Sequence, residues 1–254
     1  MKIGIQTNIW SQERHEKDLD GLLGEARAAG YAGIEIGAHR VDLTQPGALR
    51  ALLAKHGLQV SALHIHGDLA DAEQAIAIAE RAQIVGTFAR QVGAPYVALS
   101  GKARTHKSEN DLAREAQLLN HVGYVCGTNG AHLIYHNHYW EIENDYRELR
   151  YLVAHTDAAR VSLLLDVGWV NRVNGNPAQA VELFRARIAC FHLKDTFGDW
   201  FTELGRGTLD FAALKPAILG KFDGWLVHER DEAVSHPLES ARISREFLKT
   251  NLGL

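Results

Sequence analysis

Short apolar runs alternate with longer amphipathic stretches along the whole chain. The apolar runs are rich in Val, Ile and Leu and mostly lack polar positions, which is typical of strands covered on both faces. They predict eight strands, at 2–6, 33–37, 59–65, 95–99, 131–136, 161–165, 188–193 and 225–229. The stretches between them predict helices at 16–29, 47–56, 71–92, 109–128, 144–155, 177–186, 209–219 and 238–250.

Local signals support these helix boundaries. The apolar residues of 19–29 recur at the spacing of one helical face packed on a sheet. Asp71 and Ser108 stand where an N-cap is expected, and Asp111 follows Ser108 as in a capping box. Glycines suited to a left-handed helix end precede four of the strands, at Gly30, Gly57, Gly93 and Gly130.

Eight strand–helix alternations with short connections indicate a parallel sheet, and eight parallel strands can close into a barrel. An open, doubly wound sheet would normally carry a glycine-rich phosphate loop after its first strand, whereas residues 6–10 contain no glycine. The length of 254 residues also suits one barrel. The sequence therefore predicts an α/β fold, a single-domain (β/α)8 TIM barrel over 1–254.

Composition narrows the range of partners. A hydrophobic fraction of 46% supports a large core, and a net charge of −4 gives no sign of a nucleic-acid or acidic-membrane partner. Cys126 and Cys190 lie far apart in apolar runs, so we expect core residues and not a disulfide. The apolar start of the chain, 1–6, is too short for a signal peptide, and no run could span a membrane, so a cytoplasmic location is expected.

The ends of the predicted strands are rich in side chains that bind metals, and in a barrel the chemistry gathers where strands end. The two-residue period of a strand places one such side chain inward from each of four consecutive strands. They are His136, Asp166, His192 and Glu229. Two imidazoles and two carboxylates form a mixed N/O site that suits Mn²⁺, Zn²⁺, Co²⁺ or Fe²⁺.

Five stretches resemble one family in their order along the chain. They are Tyr-His-Asn-His at 135–138, Leu-Asp-Val-Gly-Trp at 165–169, His-Leu-Lys-Asp at 192–195, the segment 203–211 and His-Glu-Arg-Asp at 228–231. The chain resembles the sugar phosphate isomerase/epimerase group of xylose-isomerase-like barrels, to which inosose dehydratases and the endonuclease IV branch are related. The resemblance implies one metal ion, commonly Mn²⁺, held by His136, Asp166, His192 and Glu229.

One position departs from the family pattern. Many epimerases of this kind have glutamate where His136 stands, and a pair of glutamates exchanges the proton on opposite faces of the substrate. With histidine there, that symmetrical mechanism does not carry over directly. The Tyr-His-x-His string also resembles inosose dehydratases and relatives that eliminate from 3-keto sugars.

These observations predict an isomerase or epimerase that removes a proton next to a carbonyl through a metal-stabilised enediolate. Glu229 is expected to act as ligand and base, with His136 also in the catalytic set and His138 as the second acid/base or as an orienting neighbour. The first alternative is a metal-dependent lyase, an inosose dehydratase or a 3-keto-glycoside eliminating enzyme. A non-catalytic sugar-binding barrel is a remote alternative, and an endonuclease is disfavoured by the net charge.

The predicted substrate is a small sugar or cyclitol. Its expected contacts are His64, His66, Lys102, Lys194, Trp10 and Trp169. Lys194 could equally be a salt-bridge partner, and the tryptophans could equally form a subunit interface, since barrels of this group commonly pair or form tetramers. Glu35 is interpreted as a loop anchor or a polar contact. Glu203 lies either in a loop over the site or on the exposed surface.

Overall fold

Eight parallel strands close into a barrel in the computed structural model, which describes all residues from Met1 to Leu254. The barrel strands are β1 Lys2–Gln6, β2 Gly33–Gly37, β3 Gln59–His66, β4 Tyr96–Ser100, β5 His132–His136, β6 Val161–Asp166, β7 Ile188–Leu193 and β10 Trp225–His228. Each pairs with the next in the chain, and β1 pairs with β10 to close the ring. The predicted TIM barrel is confirmed.

Helices surround this barrel. They are α1 Gln12–Lys17, α2 Leu19–Ala28, α3 Pro46–His56, α4 Ala72–Val92, α5 Glu109–Thr128, α6 Glu143–His155, α7 Val167–Arg172, α8 Pro177–Phe184, α9 Phe211–Ile218 and α10 Pro237–Phe247. The predicted capping box is present, because the Ser108 hydroxyl accepts from the Asp111 backbone while the Asp111 carboxylate accepts from the Ser108 backbone. None of these helices is long and apolar enough to cross a membrane.

The barrel interior below the strand ends is filled by a cluster of inward-facing side chains, named the inner layer here. Its members are Ala62, Ala98, Ile134, Leu164, Cys190, Trp225 and Val227. Trp225 lies against Gly33, where a Cβ atom would come within 2.6 Å of the indole, so this position has to be glycine. A much larger apolar cluster, which includes Cys126, fills the space between strands and helices. Both cysteines are buried and free, as predicted.

Three elements differ from the sequence prediction. The helix expected at 16–29 is two helices, because the Asp18 carboxylate accepts from the Gly21 backbone and starts α2 afresh. The short helix α7 follows β6 directly. An antiparallel hairpin, β8 Asp195–Phe197 with β9 Trp200–Thr202, follows β7 and rises beside the barrel mouth. Both additions are too short to show a periodic pattern in the sequence.

Candidate metal centre and active site

Four side chains converge above the inner layer at the C-terminal ends of adjacent strands. Each stands two residues after an inner-layer residue and so shares its inward face. One ligand atom from each of them lies within 4.8 Å of the others. The four residues are His136, Asp166, His192 and Glu229, all buried. The strand period therefore brings together the side chains that it predicted would meet.

Asp166 joins the end of β6 to the start of α7. Its Oδ1 accepts hydrogen bonds from the backbone N–H groups of Gly168 at 2.8 Å and Trp169 at 3.1 Å, as an N-cap does. Its Oδ2 points the other way, 3.2 Å from His136 Nε2. A Cβ atom on Gly168 would lie 2.7 Å from the carbonyl oxygen of Lys194, so the tight turn after Asp166 requires glycine.

The donor atoms of this cluster are buried and incompletely satisfied. His192 Nδ1 and Glu229 Oε2 are 2.7 Å apart, yet neither makes a hydrogen bond of acceptable geometry. Buried polar atoms without partners are uncommon in folded proteins and call for an explanation such as a bound ion. Two imidazole nitrogens and two carboxylate oxygens form a donor set that fits Mn²⁺, Fe²⁺, Co²⁺ or Zn²⁺.

Lys194 is fully buried beside the cluster. Its Nζ lies 2.9 Å from Asp166 Oδ2, 2.7 Å from Glu229 Oε2 and 2.8 Å from Asp231 Oδ1. The neighbouring carboxylates outnumber this single ammonium group; they are Glu35, Asp166, Glu229 and Asp231. The local charge therefore stays negative after Lys194 is counted, which also favours a divalent cation.

The pKa shifts of the two histidines show the same excess of negative charge. Burial alone would lower the pKa of His192, but the carboxylates of Glu229 and Glu35 raise it well above its usual value. Burial would also lower the pKa of His136, but contact with Asp166 and Glu229 outweighs burial, and the net change is an increase in pKa. Burial would raise the pKa of Asp166, whereas Lys194 and the histidines lower it. The carboxylates are thus ionised and able to bind a cation.

Glu35 contacts two histidines inside the barrel. One carboxylate oxygen, Oε2, is 2.9 Å from Nε2 of His192, and the other, Oε1, is 2.9 Å from Nδ1 of His64. The second nitrogen of His64 lies 3.1 Å from the hydroxyl of Ser100. Burial would raise the pKa of Glu35, but the two imidazoles lower it to about 2. Glu35 is therefore a buried, ionised acceptor for both rings and not a loop anchor.

A polar cavity of about 410 Å³ opens directly above the cluster. Residues from most of the strand ends line it; among them are Asn8, His39, His64, His66, Ser100, Lys102, His136, His138, Trp140, Glu229 and Asp231. Its volume and polar walls suit a small hydroxylated ligand. A larger apolar groove between α4 and α5 lies away from the strand ends and holds no metal-binding cluster.

His138 forms one wall of this cavity. Its ring stacks on Trp140 with centroids 4.3 Å apart, and its Nδ1 makes no hydrogen bond. Burial, together with His136 and Lys194, lowers the pKa of His138 to about 2, so the ring is neutral. The backbone N–H of His138 donates to Glu141 Oε2 at 2.7 Å, which fixes the loop after β5.

Only some of the expected substrate contacts line the cavity. His64, His66 and Lys102 line the cavity. Trp10 does not: the expectation is wrong, because its ring is fully buried in the core and its Nε1 donates to Glu25 at 2.6 Å. Trp169 lies behind His138, 9% exposed, and Trp140 takes its place in the wall.

Lys194 and Glu203 also have defined partners. Lys194 is the salt-bridge partner that was the alternative to a substrate contact, because its ammonium group is enclosed by carboxylates and does not reach the cavity wall. Glu203 Oε1 lies 2.8 Å from Arg230 Nη1, which ties the glycine-rich turn to the end of β10. Asp195 accepts from the backbone N–H groups of Gly205 and Gly207 and so holds the same turn.

Sequence reasoning missed the position of Glu35. The available signal was a carboxylate in an otherwise apolar strand, on the same face as Gly33 and Gly37. A bulge complicates that signal, because the pairing of β2 with β3 shifts between Ile34 and Glu35. Asp231 was also missed as a partner of Lys194, since it lies beyond the last strand, where no period constrains direction.

Curated relatives of this chain are inosose dehydratases from Bacillus. The protein from Bacillus licheniformis is 30% identical over 59% of this chain and 58% of its own length. The protein from Bacillus velezensis is 26% identical over 92% of this chain and 89% of its own length. The first match thus spans less than two thirds of the relative.

Solved structures share the fold. An L-ribulose 3-epimerase superposes with a TM-score of 0.83 at 22% identity, over 99% of this chain and 94% of the epimerase. At that identity the likeness shows the fold alone. The family described as xylose isomerase-like TIM barrel matches residues 23–251. That match covers most of the chain, and with the barrel it shows that this protein belongs to the xylose isomerase-like TIM barrel family.

Proposed function

We propose that this protein is a divalent-metal-dependent isomerase or epimerase that removes a proton next to the carbonyl group of a small sugar or cyclitol. The observation that carries the proposal is the buried set of His136, Asp166, His192 and Glu229 at the floor of a polar cavity. A non-catalytic sugar-binding barrel would not need two carboxylates and two imidazoles buried at one point.

The carbon–hydrogen bond next to a carbonyl is a very weak acid, so charge stabilisation and a base are both needed. A divalent cation bound by the four residues would supply Lewis-acid stabilisation of the developing oxygen charge. Mn²⁺ is the ion we favour for this donor set, with Co²⁺, Zn²⁺ and Fe²⁺ as alternatives.

The side chains of this protein supply the proton transfers. Glu229 reaches the cavity and is ionised, because its pKa is lowered well below the usual value by His192 and Lys194 against the opposing effect of burial. We assign it as the base. His138 and His136 also line the cavity. Since the ring of His138 is neutral, we assign it as the second acid/base in the sense of a group that first accepts a proton, with His136 beside it in the cluster.

The outer part of the cavity would bind the hydroxyl groups of the substrate. His64, His66 and Lys102 present nitrogen atoms along one wall, and Trp140 offers an aromatic face on another. The side chains of His66 and Lys102 make no hydrogen bond or ion pair within the protein, although both line the cavity. These groups are therefore free to meet a ligand.

A second candidate function, a lyase that eliminates water or an aglycone, is favoured by one feature of this site. His136 stands on β5 with its Nε2 3.2 Å from Asp166, so the base on the opposite side of the substrate is not a second glutamate. The Bacillus relatives are inosose dehydratases. Proton removal is common to both reactions, and they differ in whether the intermediate is protonated again or expels a β-substituent.

The experiment is a panel of ketoses, aldoses, inososes and 3-keto-glycosides incubated in D₂O with Mn²⁺-loaded protein and followed by mass spectrometry. Uptake of deuterium with formation of an isomer supports the isomerase or epimerase, and a product that lacks one water or an aglycone supports the lyase. The Glu229→Gln variant should show neither. Glu115→Gln, which alters a buried glutamate on α5 that does not line the cavity, is the matched control.

A protein that holds its metal ion and exchanges no proton with any member of the panel would contradict the proposal. A ligand that binds equally well with and without metal, and is returned unchanged, would indicate the sugar-binding barrel instead.

A further inference from the structure

Glu35 lies on β2, which is separated from β7 by β1 and β10 in the ring of strands, and its side chain reaches His192 through the interior. Its side chain is fully buried, and each of its two oxygens lies 2.9 Å from one imidazole nitrogen, within hydrogen-bond distance. A carboxylate without a proton can only accept hydrogen bonds. Both nitrogens that face Glu35 must therefore carry a proton.

This arrangement determines what the far side of each ring can do. In His192 a proton lies on Nε2, so Nδ1 is the atom that faces Glu229 and that would bind the metal ion. In His64 the proton lies on Nδ1, and a neutral imidazole has no second proton, so Nε2 is an acceptor. That atom is 3.1 Å from the Ser100 hydroxyl, and both side chains line the cavity.

We propose that Glu35 is a positioning residue that fixes the tautomers of two histidines at once, one in the metal centre and one in the substrate cavity. Through His192 it presents a bare nitrogen to the metal. Through His64 it presents Nε2 as an acceptor for a hydroxyl group of the substrate, in place of or beside Ser100. The second half of this inference rests on the proposed function, whereas the tautomers themselves do not.

An irregularity in the backbone of β2 directs the Glu35 side chain toward the two histidines. The register of β2 against β3 shifts at Glu35, and bulges of this kind redirect side chains near active sites. The Ser61 hydroxyl at the bulge donates to the Ile34 carbonyl at 3.0 Å and holds the distortion in place. A carboxylate behind a metal-binding histidine is a common way to orient the ring and raise its basicity.

The test is ¹⁵N NMR of protein labelled at histidine and loaded with Zn²⁺, which is diamagnetic. Two-bond ¹H–¹⁵N correlations distinguish the tautomers, and a His64→Asn variant identifies the signals of His64. We expect His64 protonated on Nδ1 and His192 protonated on Nε2. In Glu35→Gln, the amide cannot accept from both rings, so one of the two should change its tautomer.

Zinc affinity gives a second readout. Glu35→Gln should weaken Zn²⁺ binding by about 10- to 100-fold, while the control Glu115→Gln should leave it unchanged. His64→Asn keeps a donor toward Glu35, but its shorter side chain has no acceptor at the position of Nε2. The variant should therefore retain Zn²⁺ affinity and raise KM for whichever substrate the deuterium screen identifies.

Wild-type protein with His64 protonated on Nε2 would overturn the proposal, and so would unchanged tautomers in Glu35→Gln. If Glu35→Gln does not fold, the wild-type spectrum still decides, because the assigned tautomers either match or do not. A wild-type protein that binds no metal would instead contradict the proposed function, and the tautomer of His64, read from metal-free protein, would remain a separate result.

Discussion

His192 on β7 and Glu229 after β10 bring Nδ1 and Oε2 to within 2.7 Å of each other, and neither atom makes a hydrogen bond. The backbone holds them there, because the N–H of Glu229 donates to the Leu193 carbonyl at 3.0 Å and continues the pairing of the two strands. These two atoms, an imidazole nitrogen and a carboxylate oxygen that also pairs with Lys194, lie on adjacent strands and form one edge of the metal centre that we propose.

Replacing Glu229 by glutamine should remove the base while keeping the shape of the side chain. We expect kcat to fall by about 10²- to 10⁴-fold, which is the range that general base catalysis contributes. The measurement is the rate of deuterium exchange at saturating Mn²⁺, so that weaker metal binding does not limit the rate. A variant with the wild-type exchange rate would show that another group removes the proton.

Removal of the Lys194 charge should make stability depend on metal. In Lys194→Met, the carboxylates of Asp166 and Glu229 lose their only ammonium partner, and breaking a buried ion pair costs about 3–5 kcal/mol. A bound divalent cation should offset part of this loss. Urea unfolding of wild type and variant, once with EDTA and once with Mn²⁺, measures the loss of stability without and with the cation. An equal loss of stability under the two conditions would show that the cation does not occupy this cluster.

Asp195 should control the order of the glycine-rich turn. It is fully buried and accepts from the backbone N–H groups of Gly205, Gly207 and Leu209 at 2.9 to 3.0 Å. Asp195→Ala leaves these donors without a partner, at a cost of about 2–4 kcal/mol. Hydrogen exchange should accelerate across 203–209 before the barrel strands are affected. Uniform acceleration in all strands would mean that Asp195 supports the whole barrel.

The buried glutamates around Lys107 should give stability a pH dependence. Glu115 lies 2.9 Å from Lys107 Nζ, but burial and the nearby charges of Glu141 and Glu148 outweigh that contact and raise its pKa from 4.5 to about 7. The folded state therefore binds this proton more tightly than the unfolded state. Stability is greatest below pH 4.5 for this group and falls as the pH rises through 7, by at most about 3 kcal/mol.

Glu115→Gln should remove this contribution. Urea unfolding between pH 5 and pH 8 is the measurement, with wild type and variant compared at each pH. The decline in stability across this interval should be smaller in the variant. An equal decline in the two proteins would show that Glu115 is already ionised at pH 5 and pairs with Lys107 as a simple ion pair.

The barrel and the four converging side chains could be predicted from the sequence, because both follow from repeated local patterns. His136, Asp166, His192 and Glu229 each end a strand, and the two-residue period fixes the side to which each points. The same reasoning could not place Trp10, because the loop after β1 folds inward and buries the indole against Glu25. Loop direction depends on tertiary packing and not on a period.

Glu35 and Lys194 show a second limit of prediction from the sequence. Both lie on strands, so their inward direction was accessible, but their partners are on distant elements: His192 for Glu35 and Asp231 for Lys194. Which buried charges meet inside a barrel depends on strand tilt and on irregularities such as the bulge beside Glu35. These pairings became visible only in the folded chain.

Metal analysis of purified protein shows whether the cluster of His136, Asp166, His192 and Glu229 binds a divalent metal ion. Wild type, Asp166→Ala and His192→Ala should be compared after incubation with Mn²⁺ and removal of the excess, with Glu115→Gln as control. We expect stoichiometric metal in wild type and control, and loss of the metal in both cluster variants. A wild-type protein that stays free of metal, or cluster variants that keep it, would show that these four residues do not form a metal centre.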